Sequence, residues 1–267
     1  MEPTLNVPMH MITGRVGNYL GFGYGIYNGE KAWTDRQWIR IKDFTDSGLR
    51  QFYYPPDPAG GLNSHNWSFL RPHASLTLES GATTLELPAD FAGVEGPVVF
   101  SAGQAVAALP CPVMNEGYVR ELAVRFPNAT GRPIACAVSP LKGTTAGRSP
   151  RAELLVHPTA DQEYTVGIQY YLAANALTAA NPWAYGGTMH AETIIASCLA
   201  VAELRLNDVK GVHHQTFLER LAASIAMDRR MKAQDLGYVG DSSDNLFHSH
   251  RRHGYHAGSV TFNGTEY

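Results

Sequence analysis

Two kinds of hydrophobic spacing divide this chain, and the alternation between them limits its fold more than any single motif. Near both ends apolar residues recur at helical intervals, whereas from Trp67 to Ala174 prolines and glycines cut the chain into short β-branched and aromatic runs. The clearest helical signal starts at Thr34. It is a good N-cap, Gln37 completes a capping box, and Trp33 stands ahead of it as a hydrophobic staple. Trp38, Ile41, Thr45, Gly48 and Phe52 follow at helical spacing until Pro55-Pro56 stops the run. Upstream, Val7 to Leu20 carries a looser stripe of Val7, Met11, Val16 and Leu20, ended by the glycines of Gly21-Phe-Gly-Tyr-Gly25.

Helix returns after the middle segment. Thr188 is expected to cap a helix through Leu206, with Ile195, Cys198, Leu199, Ala202 and Leu206 on one face. Asn207-Asp208 and Gly211 break it. A second helix is expected over Val212 to Leu236, carrying Phe217, Leu218, Leu221, Ile225 and Met231, with Gly237 as its C′ residue. The short link makes these two helices antiparallel neighbours.

In the middle, the spacing predicts strands over Ser75–Glu79, Thr83–Leu87, Pro97–Phe100, Tyr118–Arg125, Ile134–Ser139, Ala152–His157 and Tyr164–Tyr171. Turn residues separate most of them: Ser80-Gly81, Gly93 with Gly96-Pro97, Asn128 to Pro133 and Thr144 to Pro150. Such spacing describes a sandwich or barrel-like module. The expected fold is therefore α+β. A helical core domain of residues 1–66 with 175–236 forms a bundle, an antiparallel β module of residues 67–174 is inserted in it, and residues 237–267 form an extended C-terminal tail.

That tail has too little apolar content for a core of its own, so it is expected to be mobile when free and ordered by a partner. Phe247, Tyr255, Phe262 and Tyr267 are its aromatic anchors. Ser259–Phe262, with Val260 inside it, is the piece suited to strand addition, and Arg251 and Arg252 are placed to reach carboxylates.

Composition narrows the function classes. A net charge of −3 with only 17% charged residues excludes a basic nucleic-acid-coating protein. Cys111, Cys136 and Cys198 are sparse and odd in number, which is no disulfide framework and suits a reducing cytosol. Met1 to His10 lacks a signal-peptide pattern, and no apolar run is long enough to span a membrane.

The chemical candidates dissolve on inspection. The Gly21–Gly25 run has the wrong spacing and context for a dinucleotide fingerprint and reads as a turn. Gly143-Thr-Thr-Ala-Gly147-Arg-Ser is one residue short of a phosphate loop and has Arg148 in place of lysine, so it reads as a hairpin loop. His190-Ala-Glu192 resembles the H-x-E of zinc deaminases, but Pro110-Cys111 has no second thiolate after it. Both residues are expected in the polar first turn of a helix, where Glu192 suits the dipole. His248, His250, His253 and His256 lack a partnering cysteine or acidic shell for a metal. No G-x-S-x-G elbow exists, and no Ser, His and Asp pairing stands out. The expectation is a non-enzyme with no cofactor and no metal.

Several stretches together resemble one family. Arg15-Val-Gly-Asn-Tyr-Leu-Gly-Phe-Gly, Trp33-Thr-Asp, Ser47-Gly-Leu-Arg-Gln-Phe-Tyr-Tyr-Pro-Pro56 and His65-Asn-Trp-Ser-Phe-Leu70 are similar to the opening of head-to-tail adaptor, or neck, proteins of tailed bacteriophages. The later half adds Ala191-Glu-Thr-Ile-Ile-Ala-Ser-Cys-Leu-Ala-Val-Ala-Glu203, Asp228-Arg-Arg230 and Leu236-Gly-Tyr-Val-Gly-Asp-Ser-Ser-Asp244. The resemblance implies a structural virion protein at the head–tail junction, assembled in the host bacterial cytoplasm. It implies a ring, usually a dodecamer, between the portal protein and the tail or nozzle proteins. The C-terminal tail would dock on the portal, and double-stranded DNA would pass through the ring without specific binding. Low net charge suits such a channel, because every phosphate–cation contact adds affinity. The competing readings are a carbohydrate-binding or carbohydrate-cleaving virion protein, which needs exposed Trp and Tyr in a groove of the β module, and a small hydrolase, which needs a Ser/His/Asp cluster in a pocket.

Overall fold

The computed structural model describes residues 5–55, 65–101, 109–141 and 151–231, and the backbone of 261–262 and 265–266. The chain divides into two units, Met1–Lys232 and Ala233–Tyr267. The fold is α+β, as expected, with helices before and after antiparallel sheets.

The first unit opens with α1 (Met9–Tyr19) and α2 (Asp35–Tyr53). In α1 the buried face is Ile12, Thr13, Gly14, Val16 and Gly17, while Met11, assigned to the stripe from sequence, is 44% exposed. Small residues carry this face because the glycine-rich connection folds back on it. A Cβ at Gly17 would lie 2.8 Å from the Trp33 ring and 2.9 Å from the Gly23 carbonyl oxygen. The connection is a turn, as expected. Gly21, Gly23 and Gly25 have φ near +80°, and the Trp33 indole N–H donates to the Phe22 and Gly23 carbonyls at 3.2 Å.

The start of α2 follows its sequence signature. The Thr34 hydroxyl accepts from Gln37 N–H at 3.4 Å, and Gln37 Oε1 accepts from Thr34 N–H at 2.9 Å. Trp33 stacks on Trp38 at 5.9 Å, the N′–N4 staple. The buried face of α2 is Ile41, Phe44, Thr45, Gly48, Leu49, Phe52 and Tyr53.

Seven strands follow: β1 (His73–Leu78), β2 (Thr84–Glu86), β3 (Phe91–Ser101), β4 (Leu109–Cys111), β5 (Ala135–Leu141), β6 (Arg151–His157) and β7 (Tyr164–Leu172). They form two antiparallel sheets, ordered β1-β7-β3-β4 and β2-β6-β5. A parallel bridge between Val113 and Cys136 ties the β4 edge to the β5 edge. In β7, alternate residues Tyr164, Val166, Ile168, Tyr170 and Leu172 are buried, the period expected of a strand with one face in the core.

Two sequence expectations are corrected here. Tyr118–Arg125 is not a strand but belongs to α3 (Glu116–Arg125), which packs on β5 and β6. The Asn115 side chain caps it by accepting from Gly117 N–H at 2.8 Å, and Glu116–Arg120 and Glu121–Arg125 pair one turn apart. Its β-branched and aromatic residues point to a strand only when the cap and these pairs are ignored. Second, Gly93 and Gly96-Pro97 do not separate strands. They lie inside β3, where register shifts between Phe91 and Gly93 and between Glu95 and Val99 absorb them as bulges, with Gly96 at φ +73°.

The unit closes with α4 (Gly187–Asn207) and α5 (Val212–Met231). Gly186, not Thr188, is the N-cap of α4, and Thr188 lies inside the first turn. The helix is buried nearly all round, by Ile194, Ile195, Ala196, Ser197, Cys198, Ala200 and Ala202 among others, because α1, α2 and α5 all pack on it. Leu206, expected on its buried face, is 44% exposed. The two helices are antiparallel: Thr193 meets Ser224 at 2.7 Å, and Glu203 accepts from His214 N–H at 3.1 Å. Glu203 thereby satisfies an orphan amide in the first turn of α5. One apolar core runs from Ile12, Phe52 and Cys198 in the helices through Trp67 and Leu70 to Ile168 and Leu154 in the sheets.

In the second unit, β8 (Thr261–Phe262) pairs antiparallel with β9 (Thr265–Glu266). β8 covers Thr261 and Phe262 of the expected Ser259–Phe262 strand, and Ser259 and Val260 lie outside the described residues. The expected end of α5 at Leu236 and its C′ residue Gly237 lie outside the described residues.

Candidate interaction surfaces and the buried polar cluster

Sequence spacing gives no hint that His65, Ser68 and Asp228 belong together, yet they meet in the interior. Asp228, on the last turns of α5, is 1% exposed. Its carboxylate lies 2.8 Å from His65 Nε2, and it accepts the Ser68 amide at 3.2 Å and the Ser68 hydroxyl. Burial alone raises the Asp228 carboxyl, but the Ser68 and His65 hydrogen bonds outweigh it and hold the group below the usual carboxylate range.

Beside this cluster sits His190, which the sequence reading put in a polar first turn. It is 2% exposed and surrounded by Trp67 at 5.1 Å, Phe69 at 5.4 Å and Phe52 at 6.0 Å between ring centres. Desolvation lowers its pKa, opposed by the Asp228 charge and assisted by His65. The imidazole is a core group that burial shifts toward its neutral form. Glu192 lies in the second turn of α4, not the first, and faces outward, 3.8 Å from both Arg15 and Arg220. The H-x-E pair is thus split between core and surface. Among the described residues no three His, Cys, Asp or Glu side chains converge as metal ligands.

The chemistry of the cluster is structural. In a serine-nucleophile site the hydroxyl hydrogen-bonds to a histidine, which the carboxylate orients. Here Ser68 donates to Asp228 itself, so the carboxylate is a hub that fastens the 65–70 segment to α5. Trp67 is 1% exposed, and the groove of about 340 Å³ between α3 and β6 is lined by Phe126, Arg120, Glu153 and His157 without Trp or Tyr.

The described surface offers different features. A groove of about 850 Å³ is bordered by His10, Arg15, Asn18, Tyr24, Tyr27 and His213. His10 stacks on Tyr27 at 4.6 Å, and Tyr27 and Ile26 are 70% and 61% exposed. No helix among the described residues is long and apolar enough to cross a membrane.

Of the residues expected to bind a partner, only Phe262 has a described backbone, in β8. Phe247, Arg251, Arg252, Tyr255, Val260 and Tyr267 lie outside the described residues, as do the histidines at 248, 250, 253 and 256 and the Gly143–Gly147 loop.

The motifs that carried the resemblance turn out to meet one another. Gly48 lies against Cys198, and the Ser197 hydroxyl donates to its carbonyl at 2.7 Å. Arg205, just beyond the Ala191–Glu203 motif, reaches Ser47 Oγ at 2.8 Å and Asp43 at 2.5 Å. Arg15 faces Glu192, and the 65–70 segment closes on Asp228. A family model described as SU10 adaptor protein matches residues 11–239. No curated protein matches the chain.

Proposed function

Because the chain belongs to the SU10 adaptor protein family, a family of phage head-to-tail adaptors, we propose that it works as a ring between the portal and the tail. The ring, a dodecamer as in such adaptors, encircles the exit channel and lets double-stranded DNA pass without specific binding. It is assembled in the host bacterial cytoplasm and resides at the head–tail junction of the virion. The portal protein lies on one side and tail or nozzle proteins on the other.

One observation supports this reading above the others: the family motifs meet in packing contacts and in the Asp228 hub. A scaffold needs such contacts, and a catalytic site does not arise from them. We assign the protein no enzymatic role. The exposed Ile26 and Tyr27 beside the larger groove suit a surface that meets another protein.

In this proposal residues 1–66 with 175–236 are the ring body, 67–174 a module that faces outward or toward tail components, and 237–267 the docking tail. Phe247, Arg251, Arg252, Tyr255, Val260, Phe262 and Tyr267 anchor it on the portal. Ordering such a tail costs about 1–2 kcal/mol per residue in backbone entropy, which aromatic anchoring and strand pairing must offset. A chain ending at Leu236 tests it. The expected result is unchanged helical circular dichroism with loss of docking on portal-bearing heads. Docking as good as that of the full chain refutes the tail assignment.

A further inference from the structure

We propose that Cys111 and Cys136 form a reversible disulfide that joins the edges of the two sheets, with a low-molecular-weight disulfide as co-reactant. Cys111 ends β4, the edge strand of one sheet, and Cys136 lies in β5, the edge strand of the other. The backbone holds these edges together through the Val113–Cys136 bridge and a Met114 N–H to Cys136 carbonyl bond of 2.7 Å. Both sulfurs rest against one atom, the Pro112 carbonyl oxygen, at 3.8 Å from Cys111 and 3.5 Å from Cys136. Both residues are buried, at 2% and 0% exposure. Cys198 is remote from this pair, packed between α4 and α2 with its sulfur 3.6 Å from the Thr45 carbonyl oxygen.

The pair is also unequal. The contact with Cys136 lowers the Cys111 pKa against the effect of burial, with the Arg132 charge acting in the same direction. Cys136 is correspondingly raised by the same contact and by burial. In the proposed exchange the Cys111 thiol loses its proton and acts as the nucleophile. Its sulfur attacks one sulfur of glutathione disulfide, forming a mixed disulfide and expelling one glutathione thiolate. Cys136 then loses its proton and attacks the Cys111 sulfur, forming the intramolecular bond and expelling the second glutathione thiolate. The protein loses two electrons and two protons, and one glutathione disulfide becomes two thiols. In a reducing cytosol the pair stays as thiols, and outside a cell it closes.

The proposal is independent of the adaptor reading. Its test is the full-length protein exposed to glutathione disulfide, both in native form and during refolding, followed by alkylation of remaining thiols in denaturant. The expected product has lost two hydrogens. Its peptide map joins the Cys111 and Cys136 peptides and shows Cys198 alkylated, and its Tm rises by roughly 5 °C or more, reversibly with a thiol reductant. Cys111→Ser and Cys136→Ser each abolish the linked peptide. The proposal is overturned if all three cysteines are alkylated after both treatments, if a glutathione adduct persists on Cys111, or if the link involves Cys198.

Discussion

Replacing Gly48 by alanine tests how α2 and α4 are held together. In an exposed helix this change is stabilising by about 1 kcal/mol, because alanine is the better helix former. Here the new Cβ would lie 2.8 Å from both the amide nitrogen and the sulfur of Cys198, and closer still to its Cα. Ordinary carbon contacts need about 3.5–4.0 Å, so the helices must separate by about 1 Å. Overpacking of this kind costs about 1–3 kcal/mol. Weakening the Ser197 hydroxyl bond to the Gly48 carbonyl, 2.7 Å long, adds about 1 kcal/mol. With the propensity gain subtracted, the net loss is about 2 kcal/mol, a fall in Tm of roughly 4–8 °C. Thermal melts followed by far-UV circular dichroism read the change. Because the obstacle is backbone, adding Cys198→Ala does not restore the wild-type Tm. A Tm equal to or above wild type for Gly48→Ala alone would refute the claim that the two helices touch at this point.

Three other substitutions give distinct signatures. Thr34→Ala removes half of the capping box and lowers stability by about 1 kcal/mol in urea unfolding; no change would mean the box is idle. Asp228→Asn weakens the charged hydrogen bonds from Ser68 and His65 and costs about 2 kcal/mol near neutral pH. Since the folded Asp228 pKa lies below 3.8, its contribution is complete above that value and is lost as pH falls through the lowered one, so the variant's deficit shrinks in acid; a deficit independent of pH would contradict this. His190→Leu acts at higher pH. The unfolded imidazole takes up a proton near 6.5 while the buried one resists, so wild-type stability declines as pH drops below that value. The leucine variant shows a shallower decline, and parallel curves for the two proteins would count against a neutral buried His190.

How much of this was legible beforehand depended on where each signal lay. The start of α2 was written in four residues within six positions, Trp33, Thr34, Gln37 and Trp38, whose roles are local, and the structure agrees. The strand of β7 was legible for the same reason, since its alternation is a property of consecutive residues. In α3 two local signals conflicted: Tyr118, Val119 and Val124 favour a strand, while the Asn115 cap and the Glu–Arg pairs decide for helix. Met11 and Leu206 were misassigned because a stripe shows period but not which neighbour arrives. Gly17 faces Trp33, and the core side of α4 is shared among three helices. The Asp228 hub depends on residues far apart in the chain, and no spacing rule connects them. The one available clue was that both halves fell in stretches resembling the same family. His190 was misread because a histidine near a helix start looks polar until Phe52, Trp67 and Phe69 are seen around it.

The adaptor reading is tested most directly by the mass of the full-length protein with and without purified portal protein, measured by native mass spectrometry. The account predicts one closed ring per portal, with the twelve copies proposed above, built from heterologous head-to-tail contacts. A closed two-fold dimer as the sole stable species, both alone and in the presence of portal, would contradict it.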